Sequence, residues 1–163
     1  MANEWNTEPV TDDLAHVIFP LEVVDNWPPV TAERVWAVPL GEDRYRVVNV
    51  PWFVFGVAED DIVRAVLDKD EQWPHFVEFI EWAGNYVIRL IPTGENTEQH
   101  IMDAFAELGI TGEAMGGDPL SMVALNVPAN ADLTSIKELM LAGKADGRWD
   151  YEEAAIDDRW RNA

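Results

Sequence analysis

The sequence predicts an α+β protein, with a β-rich curled sheet or small barrel in the first half and a ferredoxin-like βαββαβ second half. Three observations carry this. Short apolar segments separated by Gly, Pro and acidic turns fill the first half, the pattern of a small closed or curled sheet. Helical spacing first appears at Asn96, after the Ala83-Gly84-Asn85 turn. From Tyr86 onward the elements run strand, helix, strand, strand, helix, strand, the order of the split βαβ motif.

The first segment with strand character is His16–Glu22, followed by the turn-rich Asn26-Trp27-Pro28-Pro29. Arg34–Leu40 and Tyr45–Val50 read as a hairpin joined by Gly41-Glu42-Asp43-Arg44. In the second of these, Tyr45, Val47 and Asn49 share one face, because side chains alternate along a strand. Pro39 and Pro51 cannot donate to a ladder and mark strand ends or edges. Trp52–Phe55 is an apolar run closed by Gly56. Ile62–Leu67 and Phe76–Trp82 complete the set, the last alternating Phe76, Glu78 and Ile80 against Val77, Phe79 and Glu81.

In the second half Tyr86–Ile91 is a strand, and Asn96–Leu108 a helix capped by Asn96 or Thr97 and ended by Gly109. Ile101, Phe105 and Leu108 form its buried stripe. Ile110–Met115 is a weak strand, Gly116-Gly117-Asp118-Pro119 a turn, and Ser121–Val127 a strand with Val123, Leu125 and Val127 on one face. Leu133–Ala142 is a second helix, with Asp132 as N-cap, Gly143 just past its end and Leu133, Ile136 and Met140 inward. Trp149–Ile156 is a last short strand. Two right-handed crossovers place both helices on one face of a four-stranded antiparallel sheet. The expected organisation is a polar N-terminal segment over 1–14, a β-rich subdomain over 15–84, a ferredoxin-like subdomain over 85–157 and a tail over 158–163. The shortness of the turn at Gly84 implies that the halves pack together and do not swing on a linker.

Val35–Gly41, Tyr45–Val57 and Asp60–Val63, with Val127-Pro128 and the closing Asp150–Glu153, resemble the core of the bacterial family catalogued as domain of unknown function 4265. The resemblance spans roughly Glu33 to Glu153. Its motifs are aromatic strand residues, prolines at strand ends and a glycine turn. It implies the architecture and a bacterial origin, and carries over no activity and no site residues.

Charge is the unusual feature: 11 Lys and Arg against 31 Asp and Glu give a formal net charge of -20. Such a surface repels phosphate backbones and anionic lipid, which argues against nucleic-acid and membrane binding. It attracts a basic partner and speeds the encounter. The bland alternative is simple solubility. With no cysteine, disulfides, thiolate nucleophiles and iron–sulfur clusters are absent. Met1–Asp13 lacks a basic and an apolar region, so no signal peptide is visible, and no stretch reaches the roughly 18 apolar residues of a membrane span. The expected location is cytoplasmic.

Candidate chemistry is sparse. Ser121 and Ser135 lie outside any nucleophile elbow. His16, His75 and His100 have no zinc-site spacing and read as surface or interface histidines, although His75 with Glu78 lies within reach of an assembled site. Glu59-Asp60-Asp61, Asp68 with Asp70-Glu71, Glu152-Glu153 and Asp157-Asp158 read as solvated surface in so acidic a chain. No motif implies a cofactor or a metal. Core packing accounts for Trp36, Trp52 and Trp82. Trp5, Trp27, Trp73 and Trp160 lie in turns or termini, where they mark a binding surface or fold back onto the core.

These features converge on a non-catalytic acidic binding protein for a basic bacterial partner, of inhibitor or immunity type. A small-molecule-sensing or regulatory module, a nucleic-acid mimic, and an enzyme with a nonstandard carboxylate–histidine site are the alternatives. The residues expected to meet a partner are Trp27, Trp73, Asp60, Asp61, Glu152 and Glu153. The oligomeric state is open at this point.

Overall fold

The structure, a computed structural model, describes residues 14–117 and 120–163. Trp5, the expected N-terminal segment up to Asp13, and Asp118 and Pro119 of the glycine turn lie outside the described residues. The chain divides into two compact units, one ending at Gly84 and the other beginning at Asn85. Among the described residues the first holds strands alone and the second joins strands with three helices, together an α+β fold dominated by β-structure.

The first unit is a closed barrel of β1 (Ala15–Pro20), β2 (Ala32–Gly41), β3 (Arg44–Val47), β4 (Ile62–Val66) and β5 (His75–Glu81), hydrogen-bonded in sequence order. Of the curled sheet and the barrel expected, the structure takes the barrel. It closes where β1 meets β5 in parallel at Ile18 and His75, with the Ile18 N–H donating to the Pro74 carbonyl at 2.9 Å. Alternation puts Val17, Phe19, Val35, Ala37, Val47, Val63 and Ala65 inside, where they form one apolar core with Val54 and Val57. Glu42 and Asp43 at the β2–β3 turn both have positive φ, as a two-residue hairpin requires.

The apolar run Trp52–Phe55 is a loop, buried from Trp52 to Val54, and the N–H groups of those three residues go to a carboxylate in place of a ladder. Pro51 has no N–H to give, and Gly56, at φ 79, turns the chain. Trp82 lies past the end of β5 and is 41% exposed, so core packing does not explain it. The clean alternation expected in β5 is broken by register shifts against β4, which turn Val77, Phe79 and Ile80 outward.

The second unit contains β6 (Tyr86–Pro92), α1 (Glu98–Ala106), β7 (Thr111–Met115), β8 (Met122–Val127), α2 (Leu133–Ala145), β9 (Trp149–Ala155) and α3 (Asp158–Arg161). Its four strands are antiparallel in the order β7-β8-β6-β9. Tyr86, Ile88 and Leu90 of β6 and Val123, Leu125 and Val127 of β8 pack with Ile101 and Phe105 of α1 and Ile136 and Met140 of α2 in one core. Thr97 caps α1 in a capping box completed by the His100 side chain. Asp132 caps α2 and also accepts from the Ser135 hydroxyl at 2.6 Å.

Gly143 does not end α2. It lies inside the helix, where the Trp149 indole sits so close that a Cβ would come within 2.0 Å of the ring. The αL turn falls instead on Gly147, at φ 74. The expected tail is α3, and its Trp160 is fully buried against Tyr86, with ring centroids 5.6 Å apart. Lys137 fastens this end by donating to the Trp160 carbonyl at 2.9 Å and the Ala163 carbonyl at 3.1 Å. Of the two readings of Trp160, this burial supports the one in which it folds back onto the core.

Candidate functional site: an aromatic groove on the barrel

A groove of about 370 Å³ opens where the barrel core reaches the surface. Phe19 of β1 and Phe76 of β5 stack in its floor with centroids 4.9 Å apart. Phe53 and Phe55 of the buried loop form one side, and Val24 and Glu22 of the β1–β2 connection form the other. Phe19 and Phe53 are buried, whereas Phe55 is 61% exposed at the rim. Barrel mouths lined by apolar rings with few polar groups are recurrent ligand sites.

Two local devices hold the walls. The first is Glu33, buried on the inward register of β2 beside Val35 and Ala37. Its carboxylate accepts from three successive amides, Trp52, Phe53 at 2.8 Å and Val54 at 3.0 Å. Three donors converging on one carboxylate compensate for the loss of its water shell, and they fix the loop that carries Phe53 and Phe55. The second is a miniature hairpin. Val24 and Trp27 exchange backbone hydrogen bonds of 2.9 and 3.0 Å around Asp25 and Asn26, both at positive φ. This turn presents Trp27, 38% exposed, edge-on to Phe53 at 5.8 Å. Val23, Val24, Trp27, Val30 and Phe55 are all exposed, so the connection and the loop put much apolar surface in water. Exposed apolar area at a groove is the mark of an interaction site.

The family described as a domain of unknown function, DUF4265, matches residues 33–151. The chain belongs to that family. The DUF4265 match opens on Glu33 itself, so it contains the clamp, the Trp52–Phe55 loop and Phe76, while Phe19 and the Glu22–Trp27 wall precede it. A crystal structure of a hypothetical protein from Neisseria gonorrhoeae is similar over 91% of this chain and 97% of its own, with a TM-score of 0.68 at 14% identity. That likeness is one of fold. No curated protein matches the chain.

Of the residues expected to meet a partner in this DUF4265 chain, Trp27 adjoins the groove through its contact with Phe53. Asp60 is exposed, but lies in the turn before β4 at φ 72. Asp61 is fully buried and accepts from the Ala58 and Ala83 amides, each at 2.8 Å. Burial pushes its carboxyl pKa up, opposed by those two bonds and reinforced by Asp60. Glu152 holds the buried guanidinium of Arg89 at 2.8 Å, and Glu153 accepts the indole N–H of Trp160. Asp61 is thus an internal ligand of backbone, which corrects its reading as solvated surface, while Glu152 and Glu153 are half-buried and bonded to Arg89 and Trp160. Trp73 is half-buried beside His16, with centroids 4.8 Å apart.

Of the histidines, His100 is exposed and His75 half-exposed, whereas His16 departs from the expected surface position. His16 is buried between Trp36, at 3.8 Å, and Trp73, with its Nδ1 atom unpartnered. Desolvation, helped by the charge of Arg34, lowers its pKa to about 4, so it is neutral at physiological pH. His75 pairs with Glu71, not with Glu78, which binds Arg64 at 3.0 Å. His100 is spent on the α1 cap, and Ser121 donates to Glu98. Among the described residues no group of three or more His, Asp or Glu is placed to hold a metal ion, and no helix is long and apolar enough to cross a membrane.

Glu33, Phe19 and Phe76 escaped the sequence reading. The available signal was phase: Glu33 falls on the same face of its strand as Val35 and Ala37.

Proposed function

We propose that this is a non-catalytic acidic binding protein of the cytoplasm, and that the barrel groove is its docking surface for a basic protein, in the manner of an inhibitor or immunity protein. The observation that carries the reading is the groove itself: stacked and edge-on aromatic rings around an apolar floor, with Glu22 as the one ionisable lining residue among the described residues. Rigid aromatic anchors dominate the energetics of protein interfaces. A net charge of -20 adds long-range steering toward a basic partner. A lone carboxylate with no neighbouring base or nucleophile among the described residues of the groove supports binding in preference to catalysis. For the second unit we propose a ferredoxin-like arrangement, supported by the strand order β7-β8-β6-β9 with one helix in each crossover.

The test is capture of binding proteins by the wild type and by a Val24→Asp, Phe55→Asp double variant at low and high salt. A basic protein held by the wild type, released by salt and lost with the double variant supports the reading. Equal capture by both forms overturns it.

A second reading has one observation in its favour. The groove's volume of about 370 Å³ is within the range of small-molecule pockets. A thermal-shift screen with metabolites tests it: a rise in Tm that the double variant abolishes supports a sensing role.

A further inference from the structure

We infer that the groove is a slot for a cationic side chain, an arginine or lysine of the partner, which lays its aliphatic stem over the phenylalanine floor and brings its charge to Glu22. This inference rests on the docking reading above and names the group recognised.

Three features of the groove define that chemistry. The floor is a stack of Phe19 and Phe76, with Phe53 and Phe55 beside it; Phe19 and Phe53 are buried and Phe55 is 61% exposed, so a guest meets an apolar floor and the open Phe55 ring at the rim. Ring faces are negative and attract guanidinium and ammonium groups, and the methylene stems of Arg and Lys cover apolar surface well. The rim then supplies one full charge. Glu22 is exposed and lines the groove, and every ion pair among the described residues uses some other carboxylate. Its carboxylate is therefore available to an incoming cation. Asp25, at the tip of the miniature hairpin two residues beyond Val24's neighbour Val23, adds a second negative charge to the same connection. Among the described residues neither Lys nor Arg lines the groove to oppose a cation. A purely apolar guest would leave Glu22 partly desolvated without a partner, which disfavours it.

The test separates local recognition from the pull of the whole acidic protein. Two tripeptides are titrated into the labelled protein and followed by NMR: acetyl-Leu-Arg-Leu-amide, and its citrulline counterpart, which has nearly the same shape and no charge. The expected result is chemical-shift change at Val24, Val54 and Phe55 with the arginine peptide, and binding about three- to tenfold weaker with citrulline. Glu22→Gln should weaken the arginine peptide by a similar factor, while Glu107→Gln, which removes one charge from the second unit, should leave it unchanged. Equal binding of the two peptides in the groove overturns the cation slot and leaves the docking reading standing. Equal weakening by Glu22→Gln and Glu107→Gln also overturns it, since net charge then explains the preference. Absence of shifts at the groove with both peptides overturns the slot and the docking reading together.

Discussion

Glu33 Oε2 lies 2.8 Å from the amide nitrogen of Phe53, twenty residues further along the chain. This contact joins the barrel wall to the loop that forms one side of the groove. With the Trp52 and Val54 amides on the same carboxylate, it replaces the ladder bonds that the loop does not make.

Glu33→Gln should therefore cost stability well beyond a surface substitution. The amide keeps one acceptor oxygen and turns an NH₂ group toward N–H donors. Unmet buried donors and lost charge-assisted bonds together predict a loss of about 2–4 kcal/mol. Urea unfolding checks this, as a fall in midpoint at unchanged slope.

His16 predicts a pH dependence with a defined direction. Its pKa is about 4 in the folded chain and 6.5 when unperturbed. Between those values the unfolded chain binds a proton that the folded chain refuses, so stability is lost as pH falls from 6.5 toward 4 and levels off below. The loss attributable to this group is on the order of 2–3 kcal/mol. His16→Phe keeps a ring between Trp36 and Trp73 and should flatten that part of the profile, measured by chemical denaturation at stepped pH. Identical profiles for the two proteins would remove His16 as the cause.

Gly143 and Gly147 should respond differently to alanine. At Gly143 the new Cβ would collide with the Trp149 ring, which itself packs on Phe105 and donates to the Met140 carbonyl at 3.0 Å. Overpacking of this kind costs about 2–3 kcal/mol. At Gly147 the space is open and only the positive φ penalises a side chain, roughly 1 kcal/mol. Thermal melts of the two variants should rank in that order.

Trp160 anchors the C-terminal end through its ring contact with Tyr86 and its N–H to Glu153. Trp160→Ala should cost about 3–5 kcal/mol, as for other buried aromatic truncations. Amide hydrogen exchange should rise first in α3 and β9. A wild-type exchange pattern in the variant would mean that the ring is not what holds the helix.

Periodic elements were legible in the sequence because their pattern and their packing are the same fact. Val123, Leu125 and Val127 alternate in β8 and all three enter the core; Ile101 and Phe105 recur at helical spacing and do so as well. The barrel strands were found for the same reason, even though β5 loses its alternation to register shifts that a periodic pattern does not encode. What stayed hidden depends on long-range pairing. Glu33, Asp61 and Arg89 are charged residues in strands or turns, and by composition they belong to the surface. Each is buried because distant groups satisfy it: the Trp52–Val54 amides, the Ala58 and Ala83 amides, and Glu152. Trp160 looked terminal and free for the same reason, since Tyr86 lies far away in sequence. The groove combines both kinds of information. Trp27 was visible as a tryptophan in a proline-rich turn, whereas Phe19 and Phe76 looked like ordinary strand residues until β1 and β5 met.

The central claim is that the groove docks a basic partner, and the most direct measurement is site-specific photo-crosslinking in living cells. The crosslinking residue is placed at Phe55, on the groove rim and 61% exposed, or at Leu141, 48% exposed on α2 of the second unit. The account predicts that position 55 gives a discrete adduct with a basic protein, that Glu33→Gln diminishes it by releasing the loop, and that position 141 gives none. Adducts of equal yield from both positions, or adducts from position 141 alone, would contradict it.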